Sequence, residues 1–322
     1  AGSQVFSTLD LRSAYNQIRI AQGHEEYTTF RTKFGSFEYL VLPFGLCNAP
    51  GTFQSFINSV LQPLIGITVV AYLDDIIVFS KNENEHLNHL QAVFQTLRDH
   101  SLVLNREKCK FFQNSTNFLG FQVSKNKIDM DAEKVQCIVD WPVPTNLTQL
   151  QAFLGLTNFY RKFIDSYSDT CVPLTNLLKK NTEFLFSESC LASFQKLKAA
   201  FSQLPSLSLF NPNARLILET DASDYAIGSV LHQVSPTNEK MPIAFFSRKL
   251  IPAESNYSVF DKELLSIVCA LKHWRQYLIS SPHFDILTDH RNLVYLMDKR
   301  DLSRRQIRWL EYLQEFNFKI SH

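Results

Sequence analysis

Two adjacent carboxylates, Asp74 and Asp75, lie between two short apolar runs of the sequence. Residues 68–70 (TVV) and residues 76–79 (IIVF) are rich in β-branched and aromatic side chains, which is typical of strands. The pattern predicts a hairpin with the Asp-Asp pair at its tight turn. Neighbouring carboxylates repel each other unless a cation lies between them, and magnesium is a hard cation that prefers oxygen ligands. A polar hairpin turn in solvent, without a metal, is the alternative.

A third carboxylate, Asp10, ends a strand-like run over residues 5–11. If this strand pairs beside the predicted hairpin, the three carboxylates meet at one edge of a sheet. Two metal ions about 4 Å apart at such an edge can activate a hydroxyl group and stabilise the leaving group of a phosphoryl transfer. The spacing therefore indicates two-metal chemistry on phosphate esters.

Hydrophobic periodicity predicts the elements that position these side chains. In the first hundred residues it predicts helices over residues 53–61 and 86–100, and a hairpin of residues 27–32 and 37–42 that turns through Gly35 and Ser36. His86 and His89 lie three residues apart without a Cys or carboxylate pattern typical of zinc. We expect both histidines to lie on the surface.

Length and composition limit the classes of protein. The chain has 322 residues, 45% of them hydrophobic, which is enough for two or three domains with sizeable cores. No apolar stretch approaches the roughly 20 residues that span a bilayer, and six widely spaced cysteines argue against a zinc site or a disulfide framework. The net charge of +1 counts mildly against a nucleic-acid binder, although local clusters can override it. The first methionine is Met130, so the chain is expected to be an internal piece of a longer reading frame.

A second set of carboxylates follows residue 215. The pattern predicts strands over residues 216–221, 226–231, 243–246 and 284–289, with a helix over residues 261–277 between the last two. Asp221 and Asp289 end strands, and Glu263 lies one turn into the helix, so the three can converge at one edge of a mixed α/β sheet. For Glu263 alone, a solvated helix position is the alternative.

Residues 9–15 (LDLRSAY), 43–50 (PFGLCNAP) and 72–75 (YLDD) resemble three palm motifs of reverse transcriptases in order and spacing. Residues 118–121 (FLGF) resemble the primer-grip hairpin of the same enzymes. The sequence is most similar to polyproteins of gypsy-class long-terminal-repeat retrotransposons. The resemblance implies a right-hand polymerase palm of the α+β class, with partial fingers and thumb.

The resemblance also implies roles for individual residues. Asp10, Asp74 and Asp75 would be the catalytic metal ligands, with Asp10 and Asp74 as the principal ones. The backbone carbonyl of Leu11 would contribute to the same site. Tyr15 matches an aromatic gate that crowds a ribose 2′-hydroxyl, although a core aromatic is the alternative.

Three further residues would bind substrate in this resemblance, namely Phe44, Gly45 and Tyr72. Phe44 and Gly45 would line the nucleotide pocket. Retroviral relatives carry a polar residue where Phe44 stands, so polar contacts are not expected there.

The second half resembles the ribonuclease H domain of the same retroelements, through residues 220–223 (TDAS), 261–264 (DKEL) and 288–290 (TDH). This implies that Asp221, Glu263 and Asp289 are catalytic metal ligands that cut the RNA strand of an RNA–DNA hybrid. Such enzymes distinguish RNA from DNA by the 2′-hydroxyl. The fourth carboxylate of this family is expected beyond His322. The fingers segment of the family is expected before Asp10, so the chain is expected to be truncated at both ends.

Basic residues offer weaker signals. Arg161 and Lys162, in the thumb-like part, suit contacts to a phosphate backbone as well as ordinary surface charge. A basic stripe beside Trp309 has the same two interpretations; it comprises Lys299, Arg300, Arg304, Arg305 and Arg308.

We therefore predict a reverse transcriptase palm with partial fingers over residues 1–128, a thumb or connection over 129–204 and a ribonuclease H-like domain over 205–322. The predicted function is RNA-directed DNA polymerase coupled to ribonuclease H, with Mg²⁺ or Mn²⁺ as cofactor. RNA template, DNA primer, RNA–DNA hybrid and deoxynucleoside triphosphates are the expected partners, together with protease and integrase domains of the same polyprotein and no membrane. From family resemblance, we expect the protein in cytoplasmic virus-like particles. A non-catalytic nucleic-acid-binding remnant, or a chain in which only the nuclease half works, are the alternatives.

Overall fold

Residues 2–298 and 302–322 are described by the computed structural model of the chain. The chain divides into two units, Ala1–Asn126 and Lys127–His322. Lys299 and Arg300 of the predicted basic stripe lie outside the described residues. None of the described helices has the length and apolar character needed to span a membrane.

The first unit combines short strands with two long helices. Its strands are β1 (Val5–Asp10), β2 (Phe30–Thr32), β3 (Gly35–Phe37), β4 (Val69–Tyr72), β5 (Asp75–Ser80), β6 (Lys110–Gln113), β7 (Ser115–Phe118) and β8 (Phe121–Ser124). Its helices are α1 (Ala49–Leu61) and α2 (Glu83–Asp99), with 3-10 helices over Ala14–Gln17 and Glu25–Thr28. An antiparallel sheet of order β4-β5-β1-β6 holds this unit together. Strands β2 and β3 pair as an antiparallel hairpin, and so do β7 and β8.

Both long helices follow the predicted periodicity. On α1, the apolar residues at spacings of three and four are buried, including Phe53, Ile57 and Leu61. On α2, Val93 and Leu97 are buried in the same core cluster, which also contains residues of β1, β4 and β5. This core fixes β1 beside β5 and therefore sets which strand ends meet. The hairpin predicted through Gly35 and Ser36 instead turns at residues 33–34.

His86 contradicts the expectation of a surface position, because its side chain is fully buried. Its Nε2 lies 2.7 Å from the hydroxyl of Ser7 on β1, and its Nδ1 lies 2.8 Å from the hydroxyl of Ser80 on β5. Burial lowers the pKa of His86, with a smaller contribution from His89. Two hydroxyl partners satisfy a neutral imidazole in the core, and spacing along α2 does not reveal them.

The second unit contains strands β9 (Lys127–Met130), β10 (Leu207–Ser208), β11 (Leu216–Ala222), β12 (Ala226–Val234), β13 (Lys240–Lys249), β14 (Phe284–Thr288) and β15 (Phe318–Ser321). Its helices are α3 (Ala132–Val139), α4 (Leu147–Phe159), α5 (Tyr167–Thr170), α6 (Val172–Asn176), α7 (Glu188–Ser202), α8 (Pro252–Ser255), α9 (Val259–His273), α10 (Arg275–Leu278) and α11 (Arg304–Leu313). Two 3-10 helices cover Arg161–Phe163 and Arg291–Asp298.

A five-stranded mixed sheet of order β13-β12-β11-β14-β15 dominates this unit. Strands β11, β12 and β13 are antiparallel neighbours, whereas β11, β14 and β15 run parallel. Helix α9 begins at Ser258, whose hydroxyl accepts the N–H of Asp261, and buries Leu264, Ile267 and Leu271 against the sheet. The mixed α/β sheet predicted from the sequence is confirmed.

The segment before this sheet packs within the same unit. Strand β9 pairs antiparallel with β10, and α5 packs on β12 and β13. The backbone N–H of Ser168 on α5 donates to the hydroxyl of Ser247 on β13 at 2.9 Å. Residues on both sides of the predicted boundary at 204/205 therefore share one unit.

Candidate active sites

The first carboxylate cluster lies where β1 ends and β5 begins. Asp10 is the last residue of β1, Asp75 is the first of β5, and the two are direct cross-strand partners. Both line a cavity of about 190 Å³ together with Lys108, whose Nζ lies 3.7 Å from Asp10 Oδ2. The predicted meeting of carboxylates from two strands at one sheet edge is therefore present for this pair.

The turn between β4 and β5 differs from the predicted Asp-Asp turn. Tyr72 pairs with Asp75 across the hairpin, so the two turn residues are Leu73 and Asp74. Leu73 has a φ of +52°, a conformation that leucine rarely adopts. The favoured two-residue hairpin turns have a positive φ at their first position. Leu73 occupies that position here, and Asp74 occupies the second.

Gln54 on α1 supports this turn and was not found from the sequence. Its Oε1 accepts the N–H of Leu73 at 2.6 Å, and its Nε2 donates to the carbonyl of Ala71 at 3.3 Å. These bonds hold the left-handed residue from outside the hairpin. A glutamine between the apolar positions of an amphipathic helix is an ordinary feature of sequences and gives no signal of this role.

The charges of the first cluster act on one another. Desolvation raises the pKa of the Asp75 carboxyl, the negative charges of Asp74 and Asp10 raise it further, and Lys108 opposes them. A cation between the carboxylates would relieve this repulsion. Ligand atoms of three carboxylates within 4.8 Å of one another are found among the described residues in the second cluster, not here. Metal binding by Asp10, Asp74 and Asp75 stays a prediction.

Tyr15, Phe44 and Gly45 are three of the residues predicted to bind substrate. The Tyr15 ring contacts Phe44 and Phe53, each with ring centroids 5.2 Å apart. Phe53 belongs to the core, whereas Phe44 is 76% exposed, so Tyr15 connects the core to an exposed aromatic surface. Gly45 has a φ of +99°, which favours glycine there.

Leu11 and Tyr72 have different surroundings. Leu11 is buried and forms a bridge with Leu104. Tyr72 is about half exposed and faces Asp75 in the hairpin register. Substrate binding by these five residues is not tested by the structure.

The second cluster brings together all three carboxylates predicted for it. Asp221 lies in β11, Asp289 follows β14, and Glu263 lies on α9; one ligand atom from each falls within 4.8 Å of the others. The parallel pairing of β11 with β14 produces this arrangement, because Thr220 is opposite Thr288 and the following residues leave the same sheet edge. A cavity of about 470 Å³ opens beside Asp221 and Asp289.

Glu263 has the chemistry expected of a metal ligand. It is only 3% exposed; its Oε1 accepts the N–H of Ala222 at 3.2 Å, and its buried Oε2 has no hydrogen-bond partner among the described residues. Burial, followed by the charges of Asp289 and Asp221, raises its pKa to about 8. An unsatisfied buried carboxylate oxygen costs free energy, which a bound cation would recover, so these residues fit a divalent ion.

The fold and the two carboxylate clusters define a class of enzyme that makes and breaks phosphodiester bonds in separate units. Residues 1–123 match the family described as reverse transcriptase (RNA-dependent DNA polymerase). Residues 211–316 match the RNase H-like domain found in reverse transcriptase.

Known relatives extend the same comparison over the whole chain. The Transposon Tf2-3 and Tf2-4 polyproteins of Schizosaccharomyces pombe (strain 972 / ATCC 24843) are each 40% identical to it over 324 residues. The alignments cover 100% of this chain and 24% of each polyprotein, so the chain spans about a quarter of the length of these relatives.

Two solved structures share the fold. A foamy viral protease-reverse transcriptase dRH in complex with double-stranded DNA has a TM-score of 0.86 and 22% identity, covering 100% of this chain and 57% of that one. The foamy viral protease-reverse transcriptase in complex with RNA/DNA hybrid has a TM-score of 0.81 and 22% identity, covering 100% and 44%.

The chain belongs to the reverse transcriptase and ribonuclease H region of gypsy-class retrotransposon polyproteins. It combines an RNA-directed DNA polymerase domain with an RNase H-like domain, as predicted from its motifs. Both families generally depend on divalent metal ions, and the triad of Asp221, Glu263 and Asp289 supplies a set of ligands for one.

Two of the predicted phosphate-binding residues are used inside the protein. Arg305 Nη2 donates to Asp261 Oδ2 at 2.7 Å, and its guanidinium lies 3.7 Å from the centroid of the Tyr257 ring. Lys162 is half-buried with Nζ 5.5 Å from the Phe163 ring centroid, and burial lowers its pKa. These positions indicate that both cations are held by neighbouring aromatic or acidic groups.

Proposed function

We propose that the first unit adds deoxynucleotides to a primer 3′-hydroxyl on an RNA template, and that the second unit hydrolyses the RNA strand of RNA–DNA hybrids. The observation that carries the nuclease assignment is the buried, unpartnered Oε2 of Glu263 between Asp221 and Asp289. For the polymerase, the support is the cross-strand pair of Asp10 and Asp75 at an accessible sheet edge.

Mg²⁺, with Mn²⁺ as a substitute, is the proposed ion at both sites. A divalent ion of this kind lowers the pKa of an attacking hydroxyl or water and neutralises charge on the phosphate. In the first unit, Asp10 and Asp75 present their carboxylates from adjacent strands, and Asp74 adds a third negative charge from the turn. Lys108 offsets part of that charge beside Asp10. In the second unit, the N–H of Ala222 holds Glu263 Oε1 and leaves Oε2 for the ion.

The nucleotide pocket is proposed to lie at Tyr15, Phe44 and Gly45. The support is the edge-on contact of the Tyr15 ring with the exposed Phe44 ring. Crowding at this position would disfavour a ribose 2′-hydroxyl, as the family resemblance suggests.

The proposed partners follow from the relatives. The two foamy viral structures contain double-stranded DNA and an RNA/DNA hybrid, which supports both as ligands of this chain. Deoxynucleoside triphosphates are proposed from the polymerase assignment. Because the chain covers 24% of the Tf2 polyproteins, protease and integrase domains of the same polyprotein are proposed as well. A place in cytoplasmic particles is proposed from family resemblance alone.

The test uses primer extension on an RNA template and cleavage of a labelled RNA–DNA hybrid, both with magnesium. Asp74→Asn is expected to abolish extension and to retain cleavage, whereas Asp289→Asn is expected to abolish cleavage and to retain extension. Each variant thus controls the folding of the other. Magnesium-dependent hybrid binding without either reaction in the unsubstituted chain would support a non-catalytic remnant instead.

A further inference from the structure

A groove between α9 and α11 is not used by either proposed active site. It has a volume of about 480 Å³, and none of the three carboxylates of the second cluster lines it. Each helix contributes residues at spacings of three, four and seven, and hence one face. These residues are Leu265, Val268, Cys269 and Lys272 of α9, and Arg305, Arg308, Trp309 and Tyr312 of α11.

The groove carries uncompensated positive charge. Arg248 is bound by Glu254 through two hydrogen bonds of 2.9 and 3.0 Å, and Arg305 is bound by Asp261. The other two cations, Lys272 and Arg308, are exposed and have no ion pair within the part of the chain that the structure describes. Lys272 Nζ lies 5.4 Å from the centroid of the Tyr312 ring, and Arg308 Nε donates to the carbonyl of Arg304 at 3.3 Å. They approach the groove from opposite helices, so an anion between them would interact with both.

Aromatic rings form the other part of the lining. The Arg305 guanidinium lies 3.7 Å from the centroid of the Tyr257 ring and 5.4 Å from that of Trp309. The two rings are 6.2 Å apart and are half-buried, so part of each remains accessible. The planes of the Tyr257 and Trp309 rings are inclined at 57° to each other, so each ring presents its own face. Asp261 and the Tyr257 ring hold the Arg305 guanidinium in place. Single aromatic rings and guanidinium planes stack on unpaired bases.

We propose that this groove binds a single-stranded segment of nucleic acid. Lys272 and Arg308 contact its phosphates, and the Trp309 ring with the Arg305 guanidinium receives one unstacked base. A combination of exposed cations that have no ion pair with stacking surfaces is the usual basis of single-strand binding. A duplex fits less well, since its bases are already stacked and paired and cannot reach half-buried rings. The site is separate from the carboxylates, so its function does not depend on catalysis.

The first test measures affinity of the full chain for a fluorescent single-stranded oligothymidylate of about a dozen nucleotides, without divalent metal. A double variant, Lys272→Gln with Arg308→Gln, is expected to bind about tenfold more weakly. Loss of two phosphate contacts on a single strand also predicts that the slope of log affinity against log salt decreases in magnitude by about 1.4. The matched control is Lys134→Gln with Lys196→Gln, which removes the same charge from exposed helix positions outside the groove. It is expected to keep the unsubstituted affinity.

Binding to the polymerase unit could mask a change in the groove, so the second readout is local. Cys269 lines the groove, whereas Cys137 is exposed on α3. The oligonucleotide is expected to slow alkylation of Cys269 several-fold and to leave Cys137 unaffected, as measured by peptide mass spectrometry. Stacking would also quench tryptophan fluorescence, and Trp309→Phe is expected to remove that component.

Three outcomes would overturn the proposal. The first is equal affinity of the double variant and its control. The second is alkylation of Cys269 at the same rate with and without the strand. Equal protection of Cys269 by a DNA duplex or by polyglutamate would show a general anion site rather than one for single strands. Thermal melting of each variant checks that a lost signal does not arise from unfolding. Arg308→Lys keeps the positive charge and is expected to retain most of the affinity of the unsubstituted chain.

Discussion

Leu73 takes a left-handed backbone conformation next to the carboxylates of the first cluster. Non-glycine residues at positive φ cost on the order of 1 kcal/mol or more, and they persist where the surrounding structure holds them. Here the holding group is Gln54, which accepts the Leu73 N–H. The strain sets the direction in which Asp74 and Asp75 leave the turn, so a residue one helix away takes part in positioning them.

Gln54→Leu tests this positioning. It removes the acceptor of the Leu73 N–H, so the turn can relax, and primer extension is expected to fall roughly tenfold with little change in substrate KM. Hybrid cleavage by the same chain serves as the internal control and is expected to be unchanged. Asn58→Leu, one turn further on α1, is the matched variant and is expected to keep its extension activity. It removes an amide that contacts Gln54 and not the turn. Full extension activity in Gln54→Leu would show that the hairpin holds Leu73 by itself.

Glu263 connects stability to pH through its raised pKa. In the folded protein the carboxyl has a pKa of about 8, against an ordinary value of 4.5. Between these values the folded state binds more protons than the unfolded state, so stability of the metal-free protein decreases as pH rises through this window. Glu263→Gln has no such charge, so it is expected to be more stable than the unsubstituted protein near pH 8, by on the order of 4 kcal/mol. Below about pH 4 the difference is expected to vanish.

Thermal unfolding with a chelator, measured between pH 4 and about pH 9, checks this prediction. Saturating magnesium should reverse the order, because the ion stabilises only a chain that keeps the carboxylate. Parallel pH profiles for the two proteins would mean that Glu263 is charged in the folded state without metal.

The sequence predicted the carboxylates of both sites but not the residues that hold them. Asp221, Glu263 and Asp289 could be assigned because strand ends and a helix start are visible as local patterns, and the parallel pairing of β11 with β14 brings them together. Gln54 and His86 act through hydrogen bonds to residues far away in the chain. No local pattern marks such partners, which explains why the turn was placed one residue too late and His86 was expected on the surface.

At the scale of elements, α5 is connected directly to the end of the sheet that carries Asp221. The hydroxyl of Ser223, two residues after Asp221, donates to Asp169 Oδ1 at 2.8 Å. Ser166 is close by, with its Oγ 3.6 Å from the position of a Cβ built on Gly228. Gly228 is the cross-strand partner of Asp221. A short helix from the preceding segment therefore restrains the turn between β11 and β12.

Asp169→Ala is expected to lower hybrid cleavage about threefold to tenfold, because the turn after Asp221 loses one anchoring hydrogen bond to a charged group. The concentration of magnesium needed for half-maximal cleavage should rise, whereas primer extension should stay the same. Asp169→Asn keeps an acceptor oxygen and is expected to retain most of the activity. Equal loss in the two variants would point to charge, rather than the hydrogen bond, as the contribution of Asp169.

Element types were predictable where periodicity extended over several turns. Helices α1, α2 and α9 lie where spacings of three and four placed them, with ends shifted by a few residues. Helix ends depend on caps such as Ser258 and on tertiary contacts, which local periodicity does not contain. Helix α3 was not predicted, since it is short and its only buried residue is Ile138.

The two carboxylate clusters belong to different units, and the predicted thumb or connection over residues 129–204 lies in the second unit. Strand β9 pairs with β10, and Leu207 of β10 is almost fully buried. The aromatic rings of Phe153 and Phe194 pack with centroids 4.7 Å apart in the core of the intervening helices. Motif spacing suggested boundaries near residues 128 and 204, but motifs mark sites and not the packing between segments.

A fragment of residues 205–322 is therefore expected to be less stable than a fragment of residues 127–322. The shorter fragment lacks β9 and α5, so β10 loses its strand partner and the hydroxyls of Ser223 and Ser247 lose partners on α5. Each lost buried hydrogen bond costs on the order of 1 kcal/mol, and the newly exposed apolar surface adds to this. Melting temperature and amide hydrogen exchange at β12 and β13 measure the difference, with the longer fragment as the reference. If both fragments melt together and protect the same amides, the five-stranded sheet folds independently, and the contacts with α5 serve positioning alone.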